Sequence, residues 1–265
     1  MTGRGLHSGC DCSVRILPND ANAGIVFATR QGEIPARVAY VCDTKRGTSL
    51  RCGGAELHTV EHLLSALYGL QVDNARIEVS GPELPGADGS ALPFVELIEE
   101  AGIVGQGLPP VEIRLDKPVR TEESERYLTA SPQDGLQIRG YVLFAHPLIG
   151  EQEACFQIDP EVFKREIAPA RTFCTSDEIE MLLAQGLGMG GSEDNVIVVY
   201  PDRYSVALRY CDEFVRHKIL DVIGDLSLTG GRLNASVAAV KSSHTLNVDL
   251  AGSIAGSGSS SLRGG

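Results

Sequence analysis

Residues 212–229 read DEFVRHKILDVIGDLSLT and carry the most informative pattern in the chain. At 100° per residue, the apolar residues gather into one stripe, which predicts a helix packed on a core along that side. The stripe consists of Val215, Ile219, Val222, Ile223 and Leu226. His217, Asp221 and Asp225 follow at i, i+4 and i+8 on another face, so they line about 12 Å of helix axis. We therefore expect His217 and Asp221 to reach one metal ion, with Asp225 one turn further along.

Residues 56–68, ELHTVEHLLSALY, form a second helical pattern. The leucines and Val60 again make one stripe, and His58, Glu61 and His62 fall together on the other side of the predicted helix. One interpretation is a solvated polar face with two incidental histidines, and the other is half of a metal site. His58 by itself fits a surface or packing residue better than a ligand.

The two predicted helices together favour a metal site. One supplies His62 beside the carboxylate of Glu61, and the other supplies His217 and Asp221. Three nitrogen or oxygen ligands with a fourth position left open are typical of catalytic zinc. A neighbouring carboxylate can then take a proton from water, which is hydrolytic chemistry. The sequence therefore predicts a zinc-dependent hydrolase.

The chain divides into two halves at the Gly/Pro-rich stretch 105–110, GQGLPP, which is interpreted as a linker. Strand-like and helical patterns alternate on both sides of it, so we predict the α+β class with two similar domains, 1–104 and 111–251. The strand-like runs are 13–17, 24–28, 76–79, 111–115, 136–142, 196–199 and 235–240, and the helical patterns are 56–68, 94–101, 175–185 and 212–229. The Gly/Ser-rich tail 252–265 is expected to be flexible.

The composition excludes several classes of protein. The 265 residues carry a formal net charge of −12, which argues against a general nucleic-acid binder, because phosphates need a basic surface. No apolar run reaches the roughly 18–20 residues of a membrane span, and the N-terminus has no hydrophobic secretory segment. The seven cysteines are scattered without a CxxC pair, which favours reduced thiols and a cytoplasmic protein.

Two further residues fit roles in catalysis. His244 follows the predicted strand 235–240, and a histidine suits proton transfer because its ordinary pKa lies near neutrality. A structural histidine is the alternative. Thr172 precedes a predicted helix, where its hydroxyl can serve an oxyanion or, as is common for threonine, cap the helix.

Several segments, taken in order, resemble those of the UDP-3-O-acyl-N-acetylglucosamine deacetylase (LpxC) family. They are Gly5-Leu6-His7-Ser8-Gly9, Thr59-Val60-Glu61-His62-Leu63, Asp88-Gly89-Ser90, Ala170-Arg171-Thr172-Phe173, Gly190-Gly191-Ser192, His217-Lys218-x-x-x-Asp221-x-x-x-Asp225 and His244-x-Leu246-Asn247. The resemblance runs from residue 5 to about residue 250. The segment that begins at His217 is its most specific part.

The resemblance implies a single zinc ion and deacetylation of a nucleotide sugar, the committed step of lipid A synthesis. It also implies two similar α+β domains, each a small sheet packed with two helices, with the active site at their junction. An apolar passage there takes the fatty acyl chain. The expected partner is the UDP-acyl-sugar substrate, and we expect a monomer.

The resemblance also implies a role for each matching residue. The zinc ligands would be His62, His217 and Asp221. Glu61 would be the general base, and His244 the general acid, held charged by Asp225. Thr172 would hydrogen-bond the oxyanion. The substrate contacts would be Phe173 and Lys218.

Two alternatives stay open at this point. One is a peptidase with a helical HxxEH motif, in which His58 and His62 bind zinc. The other is a non-catalytic homologue that binds zinc or a nucleotide sugar. The turn 131–135, SPQDG, lacks the lysine with which many family members bind the nucleotide phosphates.

Overall fold

The computed structural model describes residues 1–257. The first half of the chain contains eight strands and two α-helices among these residues. They are β1 (Thr2–Arg4), β2 (Asp11–Pro18), β3 (Ile25–Thr29), β4 (Gly32–Pro35), β5 (Val41–Asp43), β6 (Ser49–Cys52), β7 (Ala55–Leu57), α1 (Glu61–Gly69), β8 (Ala75–Val79) and α2 (Leu92–Ala101).

The second half repeats the mixture of strands and helices. Its elements are β9 (Glu112–Arg114), β10 (Val119–Glu123), β11 (Arg126–Pro132), β12 (Leu136–Leu143), β13 (Glu151–Ile158), α3 (Pro160–Val162), β14 (Phe173–Thr175), α4 (Ile179–Ala184), β15 (Ile197–Val199), α5 (Glu213–Ser227), β16 (Arg232–Val240) and α6 (His244–Ser257). This mixture confirms the predicted α+β class.

Each half is organised around one main sheet. The first sheet has the strand order β1-β2-β8-β3-β4, and a small sheet β5-β6-β7 lies beside it. Every second residue of β8 is buried, at Ala75, Ile77 and Val79, as expected for a strand with one face on the core. These side chains belong to the same apolar cluster as Leu63 of α1 and Phe94 of α2.

The second main sheet has the order β10-β11-β16-β12-β13, with β9 paired to β16. Here β12 buries alternate residues, including Leu136, Ile138 and Val142. Gly140 on the same face allows close packing of α5, because a Cβ atom there would lie 2.8 Å from Cγ1 of Ile219. Helix α5 contacts α6 as well as β12, and it also lies against α1 of the first half.

The crossing of α1 and α5 joins the two halves. At Gly224 a Cβ atom would lie 2.2 Å from the backbone oxygen of Glu61, so the glycine lets the two helix backbones approach closely. Both helices are almost wholly buried at this crossing. The candidate ligands of both helices are therefore brought together near the N-terminal end of α1.

Two predictions about helix boundaries are wrong. The helix expected over 56–68 begins only at Glu61, because 55–57 pair with β6 as strand β7 and Thr59 has φ +56°, which a helix cannot accept. The tail expected to be flexible from 252 onward is helical to Ser257 in α6, where Ile254 is buried. Residues 258–265 lie outside the described part of the chain.

The linker predicted at 105–110 lies between α2 and β9, and the division into two domains stays a prediction. Among residues 1–257, no helix is both long and apolar enough to cross a membrane.

Candidate metal centre and its cavity

His62, His217 and Asp221 converge on one point between α1 and α5. One ligand atom from each lies within 4.8 Å of the other two. Oδ1 of Asp221 is 3.8 Å from Nε2 of His62 and 3.5 Å from Nε2 of His217. His62 lies in the first turn of α1, and the other two are one turn apart on α5, as their i, i+4 spacing predicts.

The donor atoms of this trio fit a divalent cation. Among residues 1–257, Oδ1 of Asp221 is one of the few buried side-chain oxygens without a hydrogen-bond partner, which is costly unless a cation faces it. Burial lowers the pKa of His62 to about 3 and also lowers the pKa of His217. Both rings are therefore neutral and able to ligate. Two imidazoles and one carboxylate suit zinc.

Neighbouring groups orient these donors. Nδ1 of His217 lies 3.1 Å from the backbone oxygen of Ala170, so its proton is donated there and Nε2 is left for a metal. Oδ2 of Asp221 accepts a hydrogen bond of 2.6 Å from Nζ of Lys218. Burial opposes ionisation of Asp221, but Lys218 and the surrounding histidines hold its pKa below the ordinary value. The carboxylate is therefore ionised while its other oxygen faces the two rings.

Glu61 precedes His62 in the first turn of α1 and is also buried. Its Oε2 accepts a hydrogen bond from the backbone N–H of Thr48 at 2.9 Å, and its Oε1 lies 3.9 Å from Nε2 of His244. Burial raises the pKa of Glu61 to about 7, although the nearby His244 opposes the rise. A carboxylate with such a pKa can gain and lose a proton near neutrality.

His244, the first residue of α6, lies close to both Glu61 and Asp221, with Nε2 3.9 Å from an oxygen of each. Its Nδ1 lies 2.9 Å from Oδ2 of Asp225, one turn beyond Asp221 on α5. Burial opposes charging of His244, but Asp225, then Asp221 and Glu61, raise its pKa to about 9. The ring is therefore suited to carry a proton.

Two residues that the sequence did not single out for a role hold Asp225 in place. Oγ1 of Thr48 donates to Oδ1 of Asp225 at 2.5 Å, and Nδ2 of Asn247 donates to Oδ2 at 2.9 Å. Both are fully buried. Asn247 belongs to the segment that begins at His244, so the resemblance in that segment could have indicated it. Nothing in the sequence around Thr48 could have indicated Thr48.

A cavity of about 720 Å³ opens onto the centre. Thr172 and Phe173 line it, and the Phe173 ring lies 6.4 Å from the His217 ring. Part of its wall is apolar, formed by Phe144, Ile179, Leu182, Leu183, Leu187, Val196 and Val198. A cavity of this size, lined by both apolar and polar groups, can hold a ligand that has both kinds of surface.

Three cationic side chains line the same cavity: Arg46, Arg126 and Lys218. Arg46 pairs with Glu178 at 2.7 Å. Within residues 1–257, Arg126 at the start of β11 forms no salt bridge. The lysine-free turn 131–135 follows at the opposite end of β11. Arg126 is therefore a cation of the cavity wall that the sequence pattern did not single out.

The structure brings together the predicted ligands, Glu61, His244 and Asp225, but it separates His58 from them. His58 precedes α1, and its Nδ1 lies 2.8 Å from Oγ of Ser49. The expectation that His58 and His62 share one face of a helix is therefore wrong. The glycine-containing segments 88–90 and 190–192 bond to other segments of the cavity wall. The oxygen of Gly89 accepts from the N–H of Thr172 at 2.8 Å, and the N–H of Gly190 donates to the oxygen of Leu6 at 3.0 Å.

Comparison with known proteins gives a consistent match. Residues 1–256 match the family model described as UDP-3-O-acyl N-acetylglycosamine deacetylase, LpxC. A UDP-3-O-acyl-N-acetylglucosamine deacetylase of Anaeromyxobacter dehalogenans is 43% identical over 255 residues, covering 94% of this chain and 82% of the relative. Proteins of the same name from Coxiella burnetii (strain RSA 493 / Nine Mile phase I) and Oleidesulfovibrio alaskensis are 43% and 42% identical, covering 94% and 93% of this chain and 85% and 83% of the relatives.

Proposed function

The chain belongs to the UDP-3-O-acyl-N-acetylglucosamine deacetylase family, and from this premise we propose that His62, His217 and Asp221 hold a catalytic zinc ion. The activity is hydrolysis of the N-acetyl group of UDP-3-O-acyl-N-acetylglucosamine, in lipid A biosynthesis. The observation that carries the zinc assignment is the buried Oδ1 of Asp221, which faces two neutral histidines without a hydrogen-bond partner among the described residues.

Bound zinc supplies Lewis acidity toward water and toward the acetamide carbonyl. Glu61 is the general base in this proposal, because its carboxylate lies beside the ligand set but is not one of the ligands. It takes a proton from the water whose oxygen forms the new bond to the acetyl carbon.

His244 is the general acid. It gives its proton to the sugar nitrogen as the carbon–nitrogen bond breaks, so that an amine and acetate leave. The contact with Asp225 at 2.9 Å supports this role, since a carboxylate at Nδ1 favours the charged ring and leaves Nε2 toward the centre. Glu61 thus accepts a proton from the attacking water, and His244 donates a proton to the leaving nitrogen.

The remaining site residues bind the substrate. Thr172 offers its hydroxyl to the oxyanion, and Phe173 and Lys218 contact the substrate from the cavity wall. We assign to Arg126 the role of binding the diphosphate of the substrate. It lines the cavity, and it forms no salt bridge with a carboxylate of the described residues. The apolar wall that includes Leu182 and Leu187 would take the acyl chain.

The same geometry gives less support to the two alternatives, the HxxEH peptidase and the non-catalytic homologue. A peptidase with an HxxEH helix needs His58 near His62, but His58 lies outside α1 and contacts Ser49. A non-catalytic homologue would have no need of the buried pair formed by His244 and Asp225. The monomeric state and the cytoplasmic location stay predictions.

Metal analysis combined with acetate release from UDP-3-O-acyl-N-acetylglucosamine tests the proposal. We expect about one zinc per chain, and we expect His217→Ala and Asp221→Ala to lose metal and activity together. His58→Ala is the matched control and should keep both. Zinc loss in the His58 variant alone would favour the peptidase, and zinc binding without acetate release would favour the non-catalytic homologue.

A further inference from the structure

Glu213 is a fully buried carboxylate at the first residue of α5, four residues before His217. Its two oxygens accept four hydrogen bonds. The donors are Nε of Arg171 at 2.8 Å, the backbone N of Arg171 at 3.1 Å, Nη2 of Arg171 at 3.1 Å and the backbone N of Arg209 at 2.6 Å. A buried charge with this many donors is held in one position.

Arg171 belongs to the segment 170–173, which carries two contacts of the candidate site. The oxygen of Ala170 binds Nδ1 of His217 at 3.1 Å, and Thr172 lines the cavity. Because Glu213 binds both the backbone and the guanidinium of Arg171, neither neighbouring residue can shift far without breaking bonds to a buried carboxylate.

Arg209 secures the residue that precedes this segment. Its backbone N–H binds Glu213, while its Nη1 donates to the oxygen of Pro169 at 2.7 Å and its Nη2 pairs with Asp88 at 2.8 Å. Glu213 of α5 therefore holds the segment 170–173 directly, and Arg209 ties the preceding residue, Pro169, to Glu213 and to Asp88.

We propose that Glu213 and Arg171 are positioning residues that aim the His217 ring at the metal and set Thr172 against the substrate. This inference rests on the proposed function. The link to the metal is the carbonyl of Ala170, which fixes the orientation of the His217 ring. Loss of such a partner of a ligating histidine costs about 10–100-fold in metal affinity, whereas a purely structural ion pair would affect stability alone.

The test measures how fast a chromophoric chelator removes Zn²⁺ from the holoenzyme. Glu213→Gln keeps the shape of the side chain but removes its charge. We expect Zn²⁺ to dissociate faster than from the wild type, by up to about 10-fold, the lower end of the cost of losing a direct partner of a ligating histidine. The visible spectrum of the Co²⁺-loaded protein should change as well, because it reports the ligand geometry. Arg171→Lys keeps the charge but loses the fork of donors, and it should give a smaller change in the same direction.

Asp212→Asn is the matched control. Asp212 precedes Glu213 and pairs with Arg216 at 2.6 Å, so the substitution removes one carboxylate–arginine bond at the same helix end without touching Arg171. We expect its Zn²⁺ dissociation rate and Co²⁺ spectrum to match those of the wild type, even if its melting temperature falls.

The possible results distinguish failure of the proposed zinc-dependent function from failure of the positioning role of Glu213. A wild-type protein that binds no Zn²⁺ would overturn the proposed function, and this inference with it. Stable Zn²⁺ in the wild type with unchanged dissociation from Glu213→Gln would overturn only the positioning role. If Glu213→Gln does not fold, Arg171→Lys decides by the same rate and spectrum.

Discussion

At the scale of single residues, neighbouring acids of the site are held in different states by their surroundings. Asp221 bonds to Lys218 and its pKa is lowered. Glu61, one residue from a candidate ligand, accepts a backbone hydrogen bond only from Thr48 among the described residues, and burial raises its pKa. One carboxylate is thus suited to stay charged beside a cation, and the other to exchange a proton.

Replacing Glu61 by glutamine tests the exchange of that proton. The amide has nearly the same shape but cannot act as a base, so Glu61→Gln should lower kcat by about 10²–10⁴-fold, the usual contribution of general acid–base catalysis. It should retain the metal, because Glu61 is not part of the ligand trio. Steady-state kinetics with metal analysis on the same sample measures both, and loss of zinc from this variant would contradict the assignment.

Replacing Asp225 by asparagine tests the assignment of His244 as the general acid. Asp225 raises the pKa of His244, so a neutral amide should lower that pKa. The protonated, active form of His244 is then lost at lower pH, and the basic limb of the kcat/KM profile should move to lower pH. Full pH profiles of the wild type, Asp225→Asn and His244→Ala check this. An unchanged basic limb in both variants would assign that limb to another group.

At the scale of elements, the site depends on how closely α1 and α5 approach. The candidate ligands of the two helices meet because Gly224 leaves room for the backbone of Glu61. The hydrogen bonds within each helix do not determine this distance, so it is a property of packing between the helices.

Gly224→Ala should therefore destabilise the fold even though alanine favours a helix. The added Cβ would lie 2.2 Å from the oxygen of Glu61, and overpacking of a core typically costs about 1–3 kcal/mol. Gly252→Ala in α6 is the control, because its Cβ would meet Val38 at an ordinary 3.7 Å. Urea unfolding compares the two, and equal free energies of unfolding would contradict the close approach.

At the scale of the whole molecule, the cavity belongs to neither half alone. Leu6 and His62 come from the first half, and Phe144, Leu182 and Lys218 from the second. The polar centre and the apolar wall therefore adjoin because the two halves are packed together. This arrangement suits a substrate that has a sugar nucleotide at one end and a fatty acyl chain at the other.

Hydroxamates that differ in chain length test the apolar wall. A long-chain acyl hydroxamate should bind more tightly than a short one by about 0.8 kcal/mol for each methylene that is buried. Leu182→Asn should weaken the long inhibitor and spare the short one. Met181→Asn on the same helix is the control, because Met181 is 47% exposed and does not line the cavity. Equal potency of the two inhibitors on the wild type would count against the passage.

The sequence by itself determined the features that depend on short spacings. The pattern over 212–229 predicted α5 to within two residues at each end, and its period alone put His217 and Asp221 on one face. The same period failed at 56–60, because hydropathy carries no information about the positive φ of Thr59 or about the pairing of β7 with β6. The resemblance in motifs identified the family, which the comparisons confirmed.

Only the tertiary structure decided how distant segments meet. Thr48 lies 177 residues from Asp225, and Ala170 lies 47 residues from His217, yet each contact orients a group of the candidate site. No local pattern encodes such contacts, because they arise when sheets, turns and helices pack together. The buried, unpartnered oxygen of Asp221 and the shifted pKa values of Glu61 and His244 exist for the same reason: they require the water around these groups to be displaced by the rest of the fold.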